Sequence, residues 1–248
     1  MDDKELAKLG KKLLEYCDKY FIPREHLFEI LNDQKVTPMI REKATEFNAY
    51  EILRSILDEN AWSVQKLNLS AQPGSPDQDI SITHKRTGII LKVESKSAVR
   101  GSMTCGARCR ITKKPHFKVK CHRSRSNVKL ADTTNDRYAQ DVFDVIITNP
   151  LNALYAGNTV GEDFEIIEEE KITEILKEYY GVSTEEELLN AASIDWRFVI
   201  PAGIAIDGFI PRTPTVLLKK DPNWLPIRNI EPKLLEIIKS RVKSKPRR

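Results

Sequence analysis

The 248-residue sequence is short of the features that mark secreted and membrane proteins. It has only four cysteines, too few for the disulfide framework of a secreted chain, so reduced thiols are expected. No run approaches the 18 or more apolar residues that would cross a bilayer, and the charged N-terminus lacks the apolar segment of a secretory signal. The sequence therefore predicts a cytoplasmic protein without a membrane anchor.

Several catalytic motifs are also missing. The chain has no P-loop, no GxGxxG, no HExxH and no GxSxG elbow, which argues against nucleotide-dependent, zincin and serine-hydrolase chemistry. Its composition, 40% hydrophobic and 31% charged, is that of a globular protein, and the length suits one large domain or two small ones.

The charge is distributed unevenly along the chain. The net charge is only +4, yet residues 97–131, here called the basic stretch, hold ten basic residues and no acid. Most of the compensating acid lies in residues 162–187. A stretch this basic is suited to binding a polyanion such as DNA. The alternative and simpler interpretation is that it is a solvated loop. The candidate DNA-binding residues are Arg100, Arg108, Arg110, Lys113, Lys114, Lys118, Lys120, Arg123, Arg125 and Lys129.

The hydrophobic periodicity predicts helices first and then mainly strands. Helical spacing covers residues 4–31, with a break at Pro23, and residues 41–59. Alternation or buried runs then predict strands at 63–69, 80–82, 89–93 and 143–150, the second and third joined as a hairpin through His84 to Gly88. Further helices are predicted at 166–180, 183–192 and 232–242, with strands at 196–200, 204–206 and 215–218.

The predicted hairpin gathers acidic and basic side chains at one end. Asp77 and Asp79 share a face at the start of its first strand, and Glu94 and Lys96 share a face at the end of the second. Two carboxylates from neighbouring strands form an oxygen site that suits Mg²⁺. A lysine beside them can orient water and stabilise charge on a phosphate.

The segment from Pro76-Asp77 to Glu94-Ser95-Lys96 resembles the signature of the PD-(D/E)XK nuclease superfamily, to which most type II restriction endonucleases belong. The resemblance covers about residues 41–150 and implies Asp77 and Glu94 as metal ligands and Lys96 as the residue that assists the attacking water. Glu46, on an apolar helical stripe, resembles the extra glutamate that the preceding helix often supplies in that family. The resemblance implies a DNA-cleaving enzyme that uses Mg²⁺.

Other interpretations of these residues stay open. Asp79 rivals Asp77 as the ligand, because strand alternation cannot separate them and only Asp77 follows a proline. Asp77 and Asp79 also fit ordinary turn chemistry, Glu94 and Lys96 fit a cross-strand ion pair, and Glu46 fits a helix-surface charge. A zinc site is a further alternative, although its spacing departs from tight CxxC pairs; its residues would be Cys105, Cys109, Cys121 and His122, with His116 between them.

The expected fold is α/β: a restriction-endonuclease-like mixed central sheet of about five strands flanked by helices, in a single nuclease domain. Within it we expect a helical extension at 1–40, a catalytic core at 41–150, and additional elements at 151–248 for DNA recognition or dimerisation. The expected function is that of a type II restriction enzyme of a prokaryotic restriction-modification system, a homodimer on double-stranded DNA. A repair or junction-resolving nuclease and a non-catalytic DNA-binding module are the alternatives.

Overall fold

The N-terminal helices belong to the first of two compact units. The computed structural model describes residues 2–67, 78–104, 114–123, 136–156, 166 and 170–244. Among the described residues, the first unit comprises those up to Lys43, and the second begins at Ala44. The first contains α1 (Asp3–Lys19), a 3-10 turn (Arg24–His26) and α2 (Leu27–Leu31). α1 begins at a capping box, in which the Asp2 side chain accepts a hydrogen bond from the backbone of Glu5 and the Glu5 side chain accepts one from the backbone of Asp2.

The helix α3 (Val36–Ile56) leads into the second unit, which contains the sheets. Its strands are β1 (Trp62–Lys66), β2 (Ile80–His84), β3 (Ile89–Ser95), β4 (His116–Lys118), β5 (Val145–Thr148), β6 (Arg197–Val199), β7 (Thr215–Leu217) and β8 (Leu225–Pro226). Its further helices are α4 (Leu151–Leu154), α5 (Glu170–Tyr180), α6 (Glu185–Ile194) and α7 (Ile230–Ser244), with 3-10 turns at Pro201–Gly203 and Ile227–Asn229. None of the helices in the described ranges is both long and apolar enough to cross a membrane.

The central sheet has six strands in the order β1-β2-β3-β5-β6-β8. Strands β3 and β5 are parallel, and the other neighbours are antiparallel, so the sheet is mixed. The β2–β3 hairpin closes through a turn in which Gly88 has a φ of +66°, a conformation that glycine adopts without steric cost. Strands β4 and β7 pair separately as a small antiparallel sheet.

Two apolar cores form on the two faces of the central sheet. Alternate residues of β2, β3 and β5 pack with α3 and α7 in one core, which includes Leu53 and Leu234. Ile146 and Val199 point to the other core, with α4, α5, α6 and the small sheet. A mixed sheet covered by helices confirms the predicted α/β class.

Most predicted elements are present with shifted bounds, but two strands, β4 and β8, were not predicted. The predicted strand at 204–206 is wrong, because Ile206 forms only an isolated bridge with Phe209 across a tight turn. The hairpin, the buried strand before Pro150 and the last helix all form, and the central sheet has six strands where about five were expected. α6 begins two residues after Ser183, because Thr184 is its N-cap and pairs with Glu187 in a capping box. Strand β4 lies inside the basic stretch, where we predicted no strand.

Candidate functional site

The open end of the β2–β3 hairpin brings acidic side chains together. Ile80 pairs with Val93, so the next position outward sets Asp79 across from Glu94. The backbone amide of Ser95 donates a hydrogen bond of 3.0 Å to Asp79 Oδ2. Glu94 is only 2% exposed. The hairpin end thus holds two carboxylates, of which Glu94 is buried and Asp79 is partly buried.

Lys96 lies just beyond the end of β3 and faces Glu94. Its Nζ is 2.5 Å from Glu94 Oε1, and its backbone amide donates to the carbonyl of Ile147 on β5 at 2.9 Å. The ammonium also lies 5.0 Å from the centroid of the Tyr138 ring. A cation over an aromatic ring is attracted to it, so Tyr138 and Glu94 together fix the direction of the lysine side chain.

A second ion pair, between Lys66 and Glu46, lies beside the open end of the hairpin. Lys66, the last residue of β1, lies 2.9 Å from Glu46 Oε2 on α3, and both side chains are nearly buried. The same ammonium lies 3.4 Å from the backbone carbonyls of Leu67 and Asp79. Lys66 therefore links the helix that carries Glu46 to the start of the hairpin.

Acidic and basic side chains meet at this site. Among the described residues, the carboxylates of Glu46, Asp79 and Glu94 lie near the ammonium groups of Lys66 and Lys96. Burial, and next the charge of Glu46, raise the pKa of Asp79 to about 6, although Lys96, the Ser95 amide and Lys66 act in the opposite direction. A cation beside Asp79 would lower this pKa, because a nearby positive charge favours the carboxylate form.

The donor set suits a hard cation through two carboxylates. In the described part of the chain no three His, Cys, Asp or Glu side chains are arranged as a ready metal cage. Mg²⁺ commonly binds through one or two carboxylates and completes its shell with waters and substrate phosphates. Asp79 and Glu94 fit this mode, because both are oxygen donors that the hairpin brings together, and a cation would offset the cost of burying the Asp79 carboxylate.

Some of the predicted site residues lie close together in the structure. Glu46, Glu94 and Lys96 lie around Asp79, whereas Asp77 is outside the described residues and its role stays a prediction. Sequence reasoning missed Lys66 and Tyr138. Neither carries a sequence signal, because Lys66 is one of several polar residues in β1 and Tyr138 follows Lys96 by 42 positions, so only the fold brings them to the site.

The basic stretch contains an ordered, exposed basic edge. Phe117, Val119 and Cys121 are buried, and Lys118 and Lys120 between them are exposed, as is Lys114. This alternation of apolar and basic residues can be read from the sequence, and it is the pattern that predicts a strand at β4. Arg108, Arg110, Lys113, Arg125 and Lys129 lie outside the described residues.

The two described arginines of the stretch are partly buried. Arg123 donates from Nη1 to the carbonyl of Arg137 at 2.8 Å, and its guanidinium lies 4.5 Å from the centroid of the Tyr138 ring. Arg123 and Lys96 therefore both contact Tyr138. Arg100 is also partly buried. Arg123 thus has structural contacts that a purely DNA-facing cation would lack.

The candidate zinc ligands are only partly within the described residues. Cys105 and Cys109 lie outside them. Cys121 is fully buried in an apolar core, and burial raises the pKa of its thiol to about 12. His116 and His122 each place Nδ1 within hydrogen-bond distance of a backbone carbonyl, at 2.9 and 3.1 Å. The zinc site stays a prediction.

Comparison with known proteins adds one distant structural similarity. No protein-family model matches the chain, and no curated protein matches it. Among solved structures, the chain is similar to a bacterial homing endonuclease, I-Ssp6803I, with 15% identity and a TM-score of 0.35, over 85% of this chain and 98% of that one. A similarity this low carries no argument about function, which rests on the site itself.

Proposed function

We propose that this protein is a Mg²⁺-dependent endonuclease that hydrolyses phosphodiester bonds of double-stranded DNA, of the type II restriction kind. The observation that carries the proposal is the hairpin end, where Asp79 lies across from Glu94 and Lys96 contacts Glu94. Glu94 and Lys96, at the end of a buried strand, are two of the residues that the sequence resemblance implies; its aspartate is Asp77, with Asp79 as the alternative. Asp79 takes the place that the sequence alone favoured for Asp77.

Each of these residues would have its own role in hydrolysis. Asp79 and Glu94 would hold Mg²⁺, which supplies a Lewis acid that neutralises charge on the phosphate. Water adds to phosphorus, one P–O ester bond breaks, and the leaving oxygen takes up a proton. Lys96, next to Glu94, would donate hydrogen bonds to the water or to a phosphate oxygen as negative charge develops.

The surroundings of the site support this role for Lys96. Its ammonium is nearly buried and is held between Glu94 and the Tyr138 ring. A charge fixed in a water-poor place acts more strongly on a developing negative charge than one in bulk solvent, because fewer dipoles screen it. Lys66 would keep Glu46 and the backbone of Asp79 in place in the same way.

The exposed cations of the basic stretch would bind the DNA backbone. Lys114, Lys118 and Lys120 are exposed and belong to, or adjoin, the ordered strand β4. Phosphate contacts from lysine supply the sequence-independent part of DNA affinity. If the target is palindromic, a homodimer would place one site on each strand.

Cleavage of unmethylated phage DNA by the purified protein tests the proposal. Discrete bands with Mg²⁺, and none with EDTA, are expected. Glu94→Ala should remove cleavage while Glu178→Ala, at an exposed position of α5, should not. Cleavage confined to damaged or branched DNA would indicate a repair or resolving nuclease instead. Binding without scission under any metal would indicate a DNA-binding module and contradict the proposal.

A further inference from the structure

The first unit exposes most of the large apolar side chains of the described chain. Eleven of the sixteen exposed large hydrophobic residues lie before Lys43. They are Leu6, Leu9, Leu13, Leu14, Tyr16, Tyr20, Phe21, Phe28, Ile30, Met39 and Ile40. Among the described residues of this unit, Cys17 and Leu27 are the buried hydrophobic ones. A monomer rarely leaves so much apolar surface in water, so this unit has the character of a binding surface.

The apolar residues of α1 follow the spacing of a helix that pairs with another helix. Leu6, Leu9, Leu13, Tyr16 and Tyr20 recur at intervals of three, four, three and four, and each is 41–56% exposed. This is the repeat of the a and d positions of a coiled coil, which form one continuous seam. The seam residues face outward from the unit, so a second helix can lie along them without unfolding α1.

The charged residues beside the seam select one orientation of the partner. Glu5, Lys12 and Lys19 are seven residues apart and flank the seam on one side, at the g positions. Two antiparallel copies of α1 bring g positions together, so Glu5 of each copy faces Lys19 of the other and the two Lys12 residues face each other. Two attractive pairs then stand against one repulsive pair. Two parallel copies set the g positions against the e positions, where Gly10 and Cys17 offer no charge.

We propose that α1 is a dimerisation helix that pairs with α1 of a second copy of this chain, antiparallel, through the seam Leu6–Tyr20. The arrangement is self-complementary, as a two-fold interface requires, because each copy supplies the same acid and the same base. The seam of a 17-residue helix is at the small end of protein interfaces, about 1,200 Å² or less in total, so the dimer forms reversibly.

The proposal does not depend on the proposed nuclease activity. It concerns residues of the first unit alone, and association can be measured without DNA or metal. Absence of cleavage by a protein that dimerises would contradict the nuclease alone, and a protein that stays monomeric in EDTA would contradict the dimerisation helix alone. The two failures are therefore distinguishable.

Sedimentation equilibrium of the 248-residue protein in EDTA tests the proposal through variants with reversed charges. Glu5→Lys and Lys19→Glu, each alone, should raise the dimer dissociation constant roughly tenfold, since each turns two attractive pairs into two repulsive ones. The double variant should recover most of the affinity. Both changes also act against the helix dipole, and Glu5→Lys removes the side chain that accepts from Asp2 in the capping box, so recovery in the double variant reflects the re-formed pairs.

A matched control lies on the opposite face of α1. Exchanging Lys11 and Glu15, which form an exposed pair at 3.9 Å, keeps the net charge and the i,i+4 pair, and should leave association unchanged. The double change Leu9→Gln with Leu13→Gln should make the protein monomeric. A wild-type protein that is monomeric across micromolar concentrations, or a double charge variant that fails to recover, would overturn the proposal.

Discussion

The backbone amide of Ser95 donates a hydrogen bond of 3.0 Å to the carboxylate of Asp79. Ser95 is the middle residue of the Glu94-Ser95-Lys96 segment, so this bond ties the segment to the start of the neighbouring strand. It also occupies one oxygen of Asp79 and orients the other. The relationship is a reason to test Asp79, as well as Asp77, for metal binding.

Asp79→Asn should lower Mg²⁺-dependent cleavage by about a hundredfold or more, because it removes a charged ligand while its amide oxygen still accepts from Ser95. Asp77→Asn is the matched comparison. We expect the larger loss, and the weaker Mg²⁺ binding by calorimetry, in the Asp79 variant. The reverse order would assign the ligand to Asp77.

The stability of the metal-free protein should depend on pH through Asp79. Burial raises the pKa of this carboxyl from 3.8 to about 6, so between these values the folded protein keeps a proton that the unfolded chain has lost. Its contribution to the free energy of unfolding therefore falls as pH rises through this window, by up to about 3 kcal/mol. In EDTA, Asp79→Asn should thus be more stable than wild type at pH 7.5 and not at pH 4. Urea unfolding measures the difference, and a difference independent of pH would contradict the assignment.

Tyr138 should position Lys96 through its ring and not through its hydroxyl. Tyr138→Phe keeps the ring beneath the ammonium and should retain most of the cleavage rate, whereas Tyr138→Leu should lower kcat with little change in KM. The leucine variant also leaves space in the core, so circular dichroism must show that it is folded. Equal rates for the two variants would mean that the ring has no part in catalysis.

Replacing only one partner of the Glu46–Lys66 ion pair should lower the free energy of unfolding. Lys66→Met leaves the Glu46 carboxylate buried without its ammonium and should destabilise the protein by about 3 kcal/mol. Adding Glu46→Leu should restore most of that stability, since neither charge then remains. Chemical unfolding of both variants tests this, and a double variant no more stable than Lys66→Met would show that the pair is not the cause. Weaker Mg²⁺ binding by the folded double variant would add Glu46 to the metal site.

The exposed basic edge should contribute to the salt dependence of DNA binding. Replacing Lys118 and Lys120 with Gln should lower the slope of log K against log salt by about two, since each phosphate contact releases about 0.9 of a counterion. The measurement is a salt titration of binding in Ca²⁺. Changing Lys239 and Lys243 to Gln, on exposed positions of α7, is the control and should leave the slope unchanged. An unchanged slope in the first variant would place the DNA-binding surface elsewhere.

Local patterns in the sequence determined the class of the fold and the hairpin. The alternation of Ile80 with Ile82 and the apolar run Ile89–Val93, joined through a turn at Gly88, predict two paired strands without knowledge of the rest of the chain. Because neighbouring strands also fix which residues lie across from one another, the sequence limited the acidic partner of Glu94 and Lys96 to Asp77 or Asp79. The helices at 4–31 and 41–59 were likewise predicted from the spacing of apolar residues within each segment.

Only the tertiary structure decided what surrounds these residues. Strand β4 pairs with β7, about a hundred residues later, and Lys66 and Tyr138 reach the site from segments on either side of the hairpin in sequence. The raised pKa of Asp79 depends on burial and on Glu46 from α3. Such contacts depend on how distant segments pack, so the spacing of residues within one segment does not predict them.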